Sequence, residues 1–230
     1  AWLKSHGNRK IGIAGASTTG TLALTAASMF SDITLTVAMT PSDFVWQGFM
    51  QGKKDGCKEW PIDGESLFSY HGKPLAYMPF CYQHPQYWQV IAEETKQTGS
   101  MIASRKLFDD SEKAHPIAED EFIKIENIHG KLLLIGAQDD LLWDAAKYIH
   151  RMEKRLAEKP HDCDVEAAVY AHGAHFVFPE GMIKTMLPVG SSLFVKIAFP
   201  NSKAYAKECK ETRLDIDRRM RKTISEWRNA

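Results

Sequence analysis

The chain is organised around the stretch Lys10-Ile11-Gly12-Ile13-Ala14-Gly15-Ala16-Ser17-Thr18-Thr19-Gly20. Its first half, Ile11 to Ala14, is apolar and bounded by glycine, which predicts a short buried strand. After Gly20 the apolar residues recur at helical spacing, at Leu22, Ala23, Ala26, Ala27 and Phe30. The stretch therefore predicts a strand, a sharp turn at Ser17, and a helix.

A serine between small residues on such a turn is typical of the nucleophile elbow of α/β-hydrolases. The turn strains the serine backbone, so the neighbouring residues must be small, and the helix behind it favours developing negative charge. The usual pattern is G-x-S-x-G; Gly15 and Ser17 fit it, but Thr19 occupies the second glycine position and Gly20 follows one residue later. The alternative interpretation of Ser17 is an ordinary helix N-cap.

Composition limits the function classes. The 230 residues have a formal net charge of +0 and a hydrophobic content of 44%, which suits one α/β domain over residues 1–230 and gives no indication of nucleic-acid or membrane partners. No apolar run approaches the roughly 18–20 residues of a bilayer span, and the first residues contain no signal-peptide core. The four cysteines are widely spaced, without a CxxC motif, so we expect reduced thiols in a cytoplasmic protein.

Three further strands are predicted over residues 32–39, 130–136 and 164–170, each rich in apolar or β-branched residues. With the first strand and the right-handed crossover rule, they predict a mostly parallel sheet flanked by helices. A helix follows the third strand, with its buried face from Leu142 to Leu156, and a long amphipathic helix is predicted from Asn201 to Ala230.

The residues from about 41 to 128 interrupt this alternation and are predicted to form an insert that acts as a cap. The segment 41–90 holds 11 of the 24 aromatic residues in the chain. Most of them are expected to fasten the insert to a core, while one or two would face a substrate pocket. A helix is predicted from His84-Pro85-Gln86 to about Lys106, closed by a polar turn at Asp109 to Glu112.

Acidic residues follow the third strand, and histidines follow the fourth. The acid is Asp139 or Asp140, and the histidine is His172 or His175. Serine, acid and histidine thus each follow a separate strand, in the chain order of α/β-hydrolases. Such a triad activates the serine through the imidazole, while the carboxylate orients the ring and stabilises the imidazolium. No metal site is predicted, because His161-Asp162-Cys163-Asp164 is contiguous rather than spaced like metal ligands.

The oxyanion of such a reaction needs hydrogen-bond donors, and the first is expected to be the backbone N–H of Thr18. The second would come from a loop after an earlier strand, which this sequence does not contain. The nucleophile strand begins here at residue 11, so the N-terminal strands of the fold are expected to be missing and the chain to be part of a longer protein. We therefore also expect the chain alone to be a weak catalyst.

Several motifs resemble the C-terminal catalytic domain shared by acyl-CoA thioesterases and bile acid-CoA:amino acid N-acyltransferases. They are Gly15-Ala16-Ser17, Thr40-Pro41-Ser42 leading to Trp46-Gln47-Gly48, Trp60-Pro61-Ile62-Asp63-Gly64-Glu65, Ile123 to Ile128, Asp139-Asp140-Leu141-Leu142-Trp143, and Gly173-Ala174-His175. The resemblance extends from about residue 8 to the C-terminal helix.

The resemblance implies that Ser17 is the nucleophile, His175 the base and Asp140 the acid, with Asp139 and His172 as alternatives. Its acyltransferase members use a cysteine nucleophile and its thioesterases a serine, so Ser17 points to hydrolysis. The expected function is therefore a cofactor-independent serine hydrolase acting on an acyl-CoA or a related small-molecule thioester or ester. The alternatives are a carboxylesterase, a dienelactone-hydrolase-like esterase, and an inactive truncated remnant that only binds. The oligomeric state is not indicated.

Overall fold

A parallel sheet of four strands forms the centre of the larger of two compact units in the computed structural model, which describes residues 2–49, 63–186 and 188–230. The larger unit, here the sheet unit, comprises residues 1–42, 124–140 and 144–230. The smaller, here the insert unit, comprises residues 43–123 and 141–143. The insert unit interrupts the alternation of strands and helices that builds the sheet.

The strands within the described residues are β1 (Ile11–Ala16), β2 (Ile33–Met39), β3 (Ser69–Tyr70), β4 (Lys73–Pro74), β5 (Lys131–Ala137) and β6 (Asp164–Tyr170). The main sheet has the order β1-β2-β5-β6 and every pairing in it is parallel. Strand β5 lies between two neighbours, and its residues Leu132 to Ala137 are buried, as its continuous apolar sequence predicts. The prediction of a mostly parallel α/β-hydrolase-type sheet is confirmed.

The helices follow the strands in the expected alternation. They are α1 (Trp2–Ser5), α2 (Thr18–Met29), α3 (Gln86–Thr98), α4 (Arg105–Ala114), α5 (Ala145–Glu158), α6 (Glu180–Met186), α7 (Ser191–Ala198), α8 (Pro200–Ala204) and α9 (Ala206–Asn229). A short 3₁₀ helix, Ile125–Asn127, precedes β5.

One hydrophobic core cluster of the sheet unit is built on β2 and β5. Leu35, Val37 and Met39 of β2 pack with Leu133 and Ile135 of β5, and helix α9 covers them with Ile216, which is fully buried. Burial of these side chains is the main source of stability for this layer, at about 25 cal/mol per Å² of apolar area.

The predicted C-terminal helix is divided into two. Helix α8 ends at Ala204 and α9 begins at Ala206, because Tyr205 between them has φ −115° and ψ 46°, outside the helical region. Cys209 and Ile216 form part of the buried face of α9, whereas Tyr205 and Ile224 are largely exposed.

The insert unit has an aromatic core of its own. Trp46 is fully buried and its ring lies 5.4 Å from that of Phe108 and 5.2 Å from that of Trp143. Phe44 and Tyr87 are also fully buried. Most of the aromatic residues of the segment 41–90 therefore stabilise the insert itself. Trp60 of the family-like motif and Cys57, one of the four cysteines, lie outside the described residues.

The helix predicted from residue 84 to about Lys106 is wrong in its extent. Helix α3 ends at Thr98 because Gly99 adopts the left-handed conformation, φ 67°, which glycine reaches without steric cost. A second helix, α4, then begins at Arg105, so Asp109 to Glu112 are helical rather than a closing turn.

Candidate active site

Ser17 lies at the junction of β1 and α2 in a strained conformation. Its φ is 58° and its ψ −131°, a region that non-glycine residues rarely enter. The side chain makes no capping hydrogen bond to helix α2, although Ser17 is at the N-cap position. The geometry therefore favours a nucleophile elbow over an ordinary serine N-cap.

Small residues make this tight turn possible. A Cβ atom added to Gly15 would lie 2.0 Å from the carbonyl oxygen of Thr19, and one added to Gly20 would lie 2.8 Å from that of Met39. Thr19, which departs from the usual pattern, binds back to Ala16: its Oγ1 accepts from the Ala16 N–H at 3.0 Å and donates to the Ala16 carbonyl at 2.7 Å. Gly20 thus supplies the close packing that the usual second glycine would give, and Thr19 ties the turn together.

The backbone N–H of Thr18 opens helix α2 directly after the serine. The first N–H groups of a helix have no partner within the helix, and they carry the positive end of its dipole. An anion forming next to Ser17 would therefore meet a donor and a favourable field. This is the position that the sequence predicts for the first oxyanion donor.

His175 and Asp140 form a buried hydrogen-bonded pair. The Nδ1 atom of His175 lies 3.0 Å from Oδ1 and 2.9 Å from Oδ2 of Asp140. Their side chains are 3% and 0% exposed, so the carboxylate is held away from solvent. If Nδ1 carries the proton and donates it to the carboxylate, Nε2 has the lone pair that a general base needs.

Asp139, the alternative acid, has a different set of contacts. Its Oδ1 accepts hydrogen bonds from the backbone N–H groups of Gly173 at 3.0 Å and Ala174 at 2.7 Å. Ala174 has a positive φ of 51°, so this carboxylate secures a strained backbone immediately before His175. The sequence did not reveal this contact, because a carboxylate that binds backbone leaves no residue pattern.

His172, the alternative base, is held at the outer side of the same loop. Its ring stacks on Tyr205, with centroids 3.7 Å apart, and its Nδ1 lies 3.6 Å from Oδ2 of Asp139. Its carbonyl oxygen accepts a hydrogen bond from Thr212 of α9 at 2.6 Å. His172 thus contacts Asp139 and Tyr205, whereas the buried carboxylate of Asp140 contacts His175.

Backbone strain is concentrated at the carboxyl edge of the sheet. Of the four non-glycine residues with positive φ in the described ranges, three follow strands of the sheet: Ser17 after β1, Thr40 after β2 and Ala174 after β6. Such strain is typical of functional sites. Within the described part of the chain, hydrogen bonds join His175 to Asp140, and none joins Ser17 to His175.

Parallel strands with helices around them, a strained serine between strand and helix, and a buried histidine–aspartate pair at the same sheet edge define a protein of the α/β-hydrolase type. The chain belongs to the BAAT / acyl-CoA thioester hydrolase C-terminal family, whose model matches residues 1–182. Membership implies an activity of the hydrolase or acyltransferase type on thioesters. No curated protein matches the chain.

Across residues 2–49, 63–186 and 188–230, no helix combines the length and the apolar character needed to span a membrane.

Proposed function

We propose that the chain is a serine hydrolase that cleaves acyl-CoA or related thioesters through an acyl-enzyme. The observation that carries the proposal is the buried His175–Asp140 pair, at the same sheet edge as the strained Ser17. Family membership supports the thioester class of the substrate. Ser17, rather than a cysteine, favours water as the final acceptor.

In the first step, His175 Nε2 takes the proton of the Ser17 hydroxyl as its oxygen attacks the thioester carbonyl. The carbonyl π bond opens to an oxyanion, which the N–H of Thr18 at the start of α2 stabilises. The C–S bond then breaks as the carbonyl re-forms, and the imidazolium gives its proton to the departing thiolate. The products are a free thiol and an ester of Ser17.

In the second step, water attacks the Ser17 ester while His175 takes a proton from it. The tetrahedral intermediate collapses, the Ser17 oxygen leaves with the proton from His175, and a carboxylic acid is released. Asp140 orients the ring and stabilises the imidazolium, because its two oxygens face Nδ1 of the ring.

Labelling with a fluorophosphonate probe tests the nucleophile. We expect Ser17→Ala to abolish labelling, His175→Ala to reduce it strongly, and Ser31→Ala, a change at an exposed serine, to leave it unchanged. Turnover should fall by about 10³-fold or more in the Ser17→Ala and His175→Ala variants. Labelling that persists in Ser17→Ala would identify another nucleophile and refute the proposal.

Product analysis then separates the substrate classes. Acyl-CoA thioesters and p-nitrophenyl esters of the same acyl chain are compared, with and without glycine as an amine acceptor. The proposal expects faster cleavage of the thioester and a carboxylic acid as the product under both conditions. Preference for the ester would favour a carboxylesterase, and an amide product would make the chain an acyltransferase; either result would overturn thioester hydrolysis.

A further inference from the structure

An apolar stripe runs along one side of α7 and the turn before it. Leu193 and Ile197 are four residues apart on α7, which places them on one side of the helix, and Val189 lies in the turn before it. The exposed fractions of Val189, Leu193 and Ile197 are 90%, 65% and 66%. Single exposed apolar residues are common, whereas two on one side of a short helix, with a third in the turn before it, form a candidate docking surface.

The opposite side of α7 already has its partners. Val195, Ala198 and Phe199 are buried, and the ring of Phe199 lies 5.0 Å from that of Phe176. Phe194, at the border between the two sides, stacks on the same Phe176 ring at 5.8 Å. Helix α7 is thus fixed by its inner side, and the stripe is not required for its attachment.

Exposed lysines accompany the stripe along the chain. From Gly181 to Lys207 the sequence contains four lysines, Lys184, Lys196, Lys203 and Lys207, and no aspartate or glutamate. Lys184 and Lys207 lie within 4 Å of Glu180 and Glu211 respectively. Lys196 and Lys203 are exposed and, within the described ranges, have no ion pair. The chain as a whole is neutral, so this excess of positive charge is local.

We propose that this stripe, with Lys196 and Lys203, is a docking surface for an anionic lipid bilayer. Exposed apolar side chains on a short helix, together with exposed lysines, are features by which proteins lie in the interface of a bilayer without spanning it. Each lysine near an anionic surface strengthens binding by about fivefold. The sequence composition alone predicts no membrane partner, because the net charge of the whole chain conceals this segment.

A second copy of the chain is the less favourable occupant. In a two-fold dimer the same patch meets itself, so each apolar stripe would bring its own Lys196 and Lys203 towards those of the other copy. An anionic bilayer has the complementary charge and accepts apolar side chains of any detailed shape. The proposal is independent of the catalytic role of Ser17.

Vesicle flotation tests the proposal on the full chain. Vesicles of phosphatidylcholine mixed with phosphatidylglycerol are compared with vesicles of phosphatidylcholine alone. We expect the wild-type chain to float with the mixed vesicles and to be released as salt is raised. The double variant Leu193→Ser/Ile197→Ser should bind the vesicles at least about tenfold more weakly than the wild-type chain. The double variant Lys196→Glu/Lys203→Glu should lose the preference for anionic lipid.

The control is Leu214→Ser, a change at an exposed leucine of α9, outside the stripe. It should float like the wild-type chain, and circular dichroism should show each variant to be folded. Val189→Asp offers an independent test in the turn, away from the helix. Absence of binding by the folded wild-type chain, equal binding by the stripe variants, or a dimer in light scattering that the stripe variants abolish would overturn the proposal.

Discussion

At the scale of the residue, the two neighbouring aspartates at the end of β5 have different tasks. Asp140 faces the ring of His175, whereas Asp139 binds the backbone of the two residues before that histidine. Sequence alone predicts that one of the pair is the acid, because both follow the same strand. It does not separate them, since a shift of one residue at a strand end changes the direction of each side chain, which only the folded loop fixes.

Asp139→Ala should therefore lower kcat without unfolding the protein. Loss of both hydrogen bonds would loosen Ala174 and displace His175, and a misplacement of about 1 Å costs about 10²-fold in rate. We expect KM to change little, since Asp139 binds backbone. Steady-state kinetics on a thioester would measure both constants.

The conservative variant Asp139→Asn gives the decisive comparison. Its amide oxygen can still accept the N–H groups of Gly173 and Ala174, so most of the activity should return. Asp162→Ala, at an exposed aspartate, serves as the control and should retain wild-type rates. Equal losses in the alanine and asparagine variants of Asp139 would show that its charge, rather than its hold on the loop, is what matters.

At the scale of the element, the strands of the main sheet and their parallel arrangement were predictable, and the short helices after His175 were not. Strand β5 has a continuous apolar sequence that fits a strand covered on both sides, and the structure buries it accordingly. Helix α7 is apolar on both its inner and outer sides, so its sequence shows no helical period. The separation of α3 from α4 depends on one glycine, whose conformation periodicity does not reveal.

An ion pair attaches α5 to the short 3₁₀ helix before β5. Arg155 donates to both carboxylate oxygens of Glu126, at 2.6 and 2.5 Å, and both side chains are 13% exposed. Burial acts to raise the pKa of Glu126, but the hydrogen bonds and positive charge of Arg155 outweigh it, so this pKa lies below its usual value. The pair is a bidentate contact of the stronger kind.

Glu126→Gln should lower the free energy of unfolding by about 3 kcal/mol at neutral pH, because it leaves Arg155 with a neutral partner in a mostly buried position. A glutamate with a depressed folded pKa stabilises fully above its unfolded value of about 4.3, and this contribution is lost as the pH falls through the folded pKa. The difference between wild type and variant should therefore shrink in acid. Urea unfolding at a series of pH values measures it.

The control for this pair is Glu153→Gln on α5. Glu153 contacts His150 with both side chains about half exposed, and such surface pairs contribute at most about 1 kcal/mol. A Glu126→Gln variant that is no less stable than Glu153→Gln, or one whose deficit stays constant down to strongly acidic pH, would contradict this account of the pair.

At the scale of the whole molecule, the arrangement of the serine, acid and histidine positions along the chain was the strongest signal in the sequence. It predicted the sheet edge at which these residues lie, because the carboxyl ends of parallel strands share one edge. The approach of His175 to Asp140 depends on contacts from distant segments, including Thr212 of α9 with the carbonyl of His172. Such long-range contacts leave no local pattern, which is why the sequence predicted the participants and not the geometry.

The alkylation rates of the cysteines test the packing of the fold in a single experiment. The three cysteines in the described ranges are free thiols: Cys81 is exposed, while Cys163 and Cys209 are buried. Burial, followed by the nearby charge of Asp139, raises the pKa of Cys209 to about 11, and burial also raises the pKa of Cys163. Because the thiolate is the reactive form, both buried thiols should resist alkylation.

We expect iodoacetamide at mildly alkaline pH to modify Cys81 first, with Cys209 slower by about 10²-fold or more from its thiolate fraction alone. Peptide mapping by mass spectrometry would follow each cysteine separately. Full alkylation in guanidinium would show that all the sites are reactive and detectable. Access to Cys209 requires α9 to detach from the rest of the sheet unit, so the rate of Cys209 alkylation reports opening of that helix. If Cys209 in the native protein were modified as fast as Cys81, α9 would not be packed as described. The support that α9 gives to the His175 loop through Thr212 would then also be absent.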